Sequence, residues 1–172
     1  MATKQQLYRS AALILKQNSS GMAVTDDEAM VNTFNLFYDE AIRYALAEGD
    51  WNFATRTVSI EASEDLDSSF GFTKVIEKPD DYAGRIVAIS GNELFDPPLD
   101  DYHEEGGFAG NIYCDVDPLY FRYISNGVEF GLDLSDWPPS FERYFEYELS
   151  ERGKGMLTNM SAAEDERFER KY

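Results

Sequence analysis

Apolar positions recur at helical spacing near both ends of this chain and alternate with polar ones in its middle. Leu7, Ala11, Ile14 and Leu15 recur at three and four, which predicts a short amphipathic helix. Thr3 and Gln6 stand at capping-box spacing before it, and the small polar run 18–22, with Gly21, ends it. A second capping box, Thr25 to Glu28, precedes the clearest stripe in the sequence. That stripe runs through Met30, Phe34, Phe37, Tyr38, Ala41, Ile42 and Ala45, with Gly49 as its stop.

The period changes after Arg56. Val58 and Ile60 alternate with polar neighbours, as in a half-buried strand. A second strand is expected through Phe72 and Val75–Ile76, and a third over 84–90. Residues 91–98 read as a turn and short edge piece closed by Pro97 and Pro98, and 100–110 as an exposed loop. Two further strands flank Pro118. Together these predict one small antiparallel sheet of meander type over about residues 57–126. Pro138 and Pro139 then pre-set a helix start, and Phe141, Tyr144, Phe145 and Leu149 form a third helical stripe, weakened by Gly153 and Gly155. Ser161 to Glu164 has the spacing to cap a last short helix.

The expected fold class is therefore α+β: an antiparallel helical bundle with a small antiparallel β-sheet inserted between the second and third long helices. One discontinuous domain is expected, with a helical part over 1–56 and 138–157, a β insertion over 57–137 and a C-terminal tail over 158–172. The length of 172 residues fits one domain with a sizeable core.

Charge sharpens this division. The chain carries a net charge of −18. Residues 57–137 hold 18 acids against 4 bases, so most of the surplus lies in the insertion. Such a surface repels polyanions, which argues against nucleic-acid binding through a basic face. The single cysteine, Cys114, excludes an internal disulfide and fits a reducing compartment. No apolar run approaches the roughly 18–20 residues that span a bilayer, and the first residues lack the apolar core of a signal peptide. These features suggest a soluble protein made in the cytoplasm.

The candidate chemistry is thin. Asp80–Asp81, Asp100–Asp101, Glu104–Glu105 and Asp115/Asp117 are paired carboxylates of the kind acid/base catalysis uses. With 33 acids in the chain, such pairs arise by chance, and solvated turns are the expected role. His103 is the one histidine, which rules out a two-histidine zinc site, and its polar, Gly-flanked surroundings predict an exposed loop residue. Cys114 reads as a buried small hydrophobe whose neighbour Asp115 discourages a thiolate. No glycine loop has the surroundings needed to cradle a phosphate. No catalytic residue, metal ligand or cofactor is therefore expected, and a structural or adaptor role is favoured over an enzyme.

Residues 47–56, AEGDWNFATR, join the two patterns. Trp51 and Phe53 follow directly on Gly49, where they are suited to plugging the end of the helical core. The wider stretch 38–56, YDEAIRYALAEGDWNFATR, resembles the signature of the head-to-tail adaptor proteins of short-tailed phages, the tail tubular protein A family. Tyr38, Asp39, Arg43, Trp51, Asn52, Phe53, Ala54 and Arg56 carry the likeness. It continues through Phe72, Pro79, Asp80, Arg85 and Ile86, then through 112–125 and the returning Trp137–Pro–Pro–Ser–Phe141 segment, over roughly residues 25–157.

The resemblance implies a virion structural protein with no enzymatic activity and no cofactor. Its copies would form a ring, commonly a dodecamer, under the portal; the ring would extend the DNA channel and receive a tail or nozzle protein. Tyr38, Arg43, Trp51, Phe53, Arg56, Trp137 and Phe141 within the likeness, and Phe168 and Tyr172 in the tail beyond it, are the candidate structural or interface residues. Double-stranded DNA would pass without specific binding along an acidic wall. Two other readings fit the acids alone: an acidic partner-binding protein that mimics DNA, and a carboxylate hydrolase built on Asp115 and Asp117.

Overall fold

A computed structural model describes residues 3–18 and 27–157 of the chain. Three helices form from the helical stripes: α1 (Lys4–Asn18), α2 (Asp27–Ala47) and α3 (Pro139–Leu157). The cap of α1 is the one the spacing predicts. Thr3 N donates to Gln6 Oε1 at 2.8 Å while Gln6 N donates to Thr3 Oγ1 at 3.3 Å, a reciprocal capping box. The expected cap residue Thr25, the Gly21 stop, the Ser161 cap with its final helix, Phe168 and Tyr172 lie outside the described residues.

Six strands lie between α2 and α3: β1 (Thr55–Ile60), β2 (Lys74–Glu77), β3 (Tyr82–Ser90), β4 (His103–Glu105), β5 (Asn111–Cys114) and β6 (Leu119–Ser125). They form two three-stranded antiparallel sheets, in orders β1–β6–β3 and β2–β5–β4. A helical bundle carrying one small meander sheet is thus the wrong description. The reason is a change of partner at Pro118: β5 pairs with β2 and β4, and β6, next in sequence, pairs with β1 and β3. Pairing across such distances leaves no local mark in the sequence. Three smaller expectations also change. Strand β4 lies inside the stretch expected as loop, all three of its residues being exposed. Phe72 stands in a turn before β2, its N–H on the Ser69 carbonyl at 3.1 Å. The 91–98 segment forms a turn and no strand.

The described residues divide into two compact units, 3–18 and 27–45 with 134–157, and 46–133. In the helical unit, Leu7, Tyr8, Ala11, Ala12 and Leu15 of α1 are buried, as are Phe34, Ala41, Ile42 and Ala45 of α2 and Phe141, Phe145 and Leu149 of α3. Tyr8 completes its burial with a polar partner: its hydroxyl donates to Asn35 Oδ1 at 2.7 Å. Helix α3 runs unbroken through Gly153 and Gly155. A Cβ at Gly153 would lie 2.7 Å from Phe34 Cε1, so this glycine is where a buried ring approaches the helix backbone.

The sheet unit has its own core. Ile76, Ile112 and Cys114 from one sheet cluster with Tyr82, Ile89, Leu119, Phe121 and Tyr123 from the other. Central strand β6 alternates as a half-buried strand should: Leu119, Phe121 and Tyr123 are fully buried, with Tyr120 and Arg122 between them partly exposed. Strand β3 breaks register with β6 between Tyr82 and Ile86. Gly84 sits there at φ 91°, a conformation that favours glycine.

Candidate functional site

The segment that carries the family likeness is built as a short turn feeding a strand. Residues Asn52–Ala54 form one turn of 3-10 helix, with Ala54 N donating to the Trp51 carbonyl at 3.0 Å. Thr55 Oγ1 donates to the same carbonyl at 2.9 Å. This delivers Arg56 to β1, directly opposite Tyr123 of β6. Pro79 makes the matching turn at the start of β3, its carbonyl accepting Tyr82 N at 3.0 Å. Asp81 is pinned next to the end of β6, where its carbonyl accepts Asn126 N at 2.8 Å.

Arg56, Tyr123 and Ser125 all meet on the Asp81 carboxylate. Arg56 Nη1 donates at 2.8 Å, the Tyr123 hydroxyl at 2.7 Å and Ser125 Oγ at 2.5 Å. Burial opposes the charge on Asp81, but the hydrogen bonds from Ser125, Tyr123 and Arg56 outweigh it and hold the carboxyl below its ordinary range. For Tyr123 burial and the bond to Asp81 act together, and its phenol is pushed well above its usual value. The Arg56 guanidinium also lies 5.4 Å from the Phe130 ring centre. Arg56, Pro79, Asp81, Val128 and Phe130 line a shallow groove of about 420 Å³ beside this node. A second ion pair, Arg85 Nε to Asp50 Oδ1 at 2.5 Å, ties β3 to the residue just before Trp51.

The remaining predicted residues fall elsewhere. Tyr38 is half-buried in the helical unit, 5.3 Å from Phe145 and under Lys4 Nζ at 4.0 Å. Burial raises its phenol to about 12. Arg43 is exposed on α2 and donates to the Asp39 carbonyl of its own helix at 3.1 Å. Trp51 and Phe53 are half-buried, with ring centres 6.4 Å apart. They belong to the sheet unit. Trp137 and Phe141 are buried in the helical unit, packed edge to face at 4.7 Å.

The carboxylates proposed for catalysis are occupied structurally. Asp115 Oδ1 accepts both Thr73 N and Thr73 Oγ1 at 2.8 Å. Asp117 accepts Lys74 Nζ at 3.0 Å and Ala62 N at 3.1 Å. The hydrogen bond from Lys74 depresses the Asp117 carboxyl, which therefore stays ionised near neutral pH and is unsuited to giving up a proton. Both act as latches on the start of β2, beside a cleft of about 720 Å³ with acidic residues Glu61, Glu64 and Asp67 on its wall. Cys114 is buried, and its thiol is pushed up by burial as expected for a small hydrophobe. His103 is exposed on β4, its ring tilted against Phe70 with centres 4.2 Å apart. Among the described residues, no three His, Cys, Asp or Glu side chains gather as a metal site.

Two hubs escape sequence reasoning. Asp81 reads as one of many surface acids, although it follows a proline turn and β6 carries a buried serine, Ser125, at its end. Lys78 is buried, its Nζ donating to the Gly107 carbonyl at 2.6 Å and pairing with Glu104 at 2.8 Å. A lysine between a glutamate and a proline gives no sign that it is an internal strut.

Four of the five bases in the sheet unit are ion-paired with acids of the same unit: Arg56, Lys74, Lys78 and Arg85. The fifth, Arg122, stacks on Phe95 at 4.2 Å. The unit holds 19 acids in all, so its outward charge is overwhelmingly negative. No protein-family model matches the sequence, and no curated protein matches it.

Proposed function

We propose that this chain is a structural virion protein: a head-to-tail adaptor whose copies form a ring, a dodecamer, below a portal protein. The ring extends the DNA channel and attaches a tail or nozzle protein. One observation carries the reading. The two stretches that most resemble the adaptor family, 38–56 and 70–90, are bound to each other by two ion pairs, Arg56–Asp81 and Asp50–Arg85. Each pair joins one residue that carries the likeness, Arg56 or Arg85, to an acid of the other stretch, so two stretches remote in sequence form one junction.

The electrostatics support the same role. With four of five bases neutralised internally, the sheet unit presents a wall that does not hold a polyanion in transit. A basic wall would bind DNA and slow it. The role requires neither a turnover site nor a cofactor; the residues at work are those that fix shape and contacts.

Negative-stain microscopy of the purified full chain, alone and mixed with a candidate portal protein, tests the proposal. Rings with a central hole, free or seated on the portal, are the expected result. A chain that stays monomeric in both samples at high concentration contradicts it. The same charge pattern favours one other reading, an acidic protein that occupies the DNA site of a basic partner. Salt-sensitive competition with DNA for such a partner, without rings, is the outcome that selects it.

A further inference from the structure

Two exposed surfaces of this chain complement each other, and neither has an ionic partner among the described residues. The first is the tip of the loop after β3. Leu94 is 80% exposed, more than any other large hydrophobic described. Its backbone is nonetheless fixed. Asn92 Oδ1 accepts Leu94 N at 3.0 Å, Asn92 Nδ2 donates to the Asp96 carbonyl at 2.9 Å, and Ser90 Oγ donates to the Pro97 carbonyl at 2.9 Å. Phe95 stands at φ 57° beneath the Arg122 guanidinium. A phenylalanine in the left-handed region is strained, and such strain persists where the surroundings over-determine it. A loop held this firmly around a leucine in water has little entropy left to lose on binding. Glu93 and Asp96, both exposed, flank the leucine.

The second surface is the outward stripe of α1. This helix carries Lys4, Arg9 and Lys16 and no acid. Lys4 is engaged with the Tyr38 ring; Arg9 and Lys16 are exposed and form no described ion pair. Arg9, Leu13 and Lys16 stand at i, i+4 and i+7, so they share one face, opposite the buried Leu7, Ala11 and Leu15. Leu13 is 56% exposed between the two bases.

We infer that these surfaces meet between copies: the Glu93–Leu94–Asp96 tip of one chain docks on the Arg9–Leu13–Lys16 stripe of the next. The inference rests on the ring reading and specifies its contact. Leu94 against Leu13 supplies a small apolar centre, and the two acids and two bases form a charged rim that sets register. Because the two surfaces differ, the contact is heterologous, the kind that propagates around an axis and closes into a ring. Charge complementarity names a second copy as the occupant: among the described α-helices α1 alone carries no acid, and the sheet unit carries most of the acidic surplus.

Charge reversal of the full chain is the test. Glu93→Lys with Asp96→Lys, and separately Arg9→Glu with Lys16→Glu, should each raise the concentration for half-assembly by at least about tenfold in sedimentation velocity at low salt. Combining all four substitutions should restore assembly, an outcome that general damage to folding does not produce. As a second measurement, a Leu13→Cys chain mixed with a Leu94→Cys chain should give a cross-linked heterodimer under mild oxidation, the native Cys114 being buried. If the wild type forms rings and either reversed pair assembles equally well, or the fourfold variant is not rescued, this contact is wrong and the ring stands. If the wild type forms no ring, alone or on a portal, the ring reading fails and the contact fails with it.

Discussion

Asp81 gathers three donors from two strands, Arg56 of β1 and Tyr123 and Ser125 of β6, which makes it the residue whose loss the sheet unit should feel most. Asp81→Asn keeps the shape but removes the charge that Arg56, Tyr123 and Ser125 address. Unfolding by urea at pH 7 should show a loss of about 1.5–3 kcal/mol, the scale of hydrogen bonds to a charged group. The pH dependence has a definite sign. The folded carboxyl is depressed, so its contribution is complete above the unfolded value, near pH 4, and disappears as pH falls through the lower folded value. The gap between wild type and Asp81→Asn should therefore close below about pH 4; a gap constant with pH would mean the carboxylate's charge is not what stabilises. At the alkaline end, burial raises the Tyr82 and Tyr123 phenols, so stability should fall above about pH 10, where the unfolded tyrosines ionise and the folded ones do not. Trp51→Ala should cost about 1–3 kcal/mol in the same assay, since Trp51 is half-buried, against about 3–5 for a fully buried aromatic.

Among the elements, α3 contains a matched pair of substitutions. Gly153→Ala forces a Cβ onto the fully buried Phe34 ring, which has nowhere to move, and should destabilise by about 1–3 kcal/mol. Gly155→Ala meets nothing within 4 Å and should stabilise by about 0.5–1 kcal/mol through helix propensity. Thermal melts of both variants decide this; a common sign would refute the packing assigned to Gly153. The pair also illustrates what sequence makes legible. The stripes of α1, α2 and α3 follow from i, i+3, i+4 spacing, and the elements appear where that spacing is strongest. Two glycines in one stripe look alike in sequence, and contact with Phe34, more than a hundred positions away, separates them. The sheets are harder still. Strands β1, β3, β5 and β6 announce themselves by alternation or apolar runs, but β4 is His103–Glu–Glu, exposed throughout, and is held by backbone pairing with β5 and by polar contacts such as Lys78–Glu104 that its own sequence does not announce. For the candidate site, Arg56 is visible through the family likeness, whereas Asp81 and Tyr123 join it only once β6 lies between β1 and β3.

For the whole molecule, repulsion is the dominant electrostatic term. The sheet unit's 19 acids face 5 bases, four already paired, so added salt screens mostly unfavourable interactions. The melting temperature of the free chain should rise between about 20 and about 300 mM NaCl, over which the Debye length shrinks from tens of ångströms to a few. A falling melting temperature would mean that the ion pairs outweigh the repulsion. The register of β1 on β6 brings the two ends of this segment together. Thr55 opens the first strand and faces Ile124, at the close of the last. The polypeptide therefore arrives and departs one strand spacing apart, about 5 Å. A stretch with adjoining ends behaves as a cassette: it can be lengthened, trimmed or swapped for another while the flanking connections keep their span.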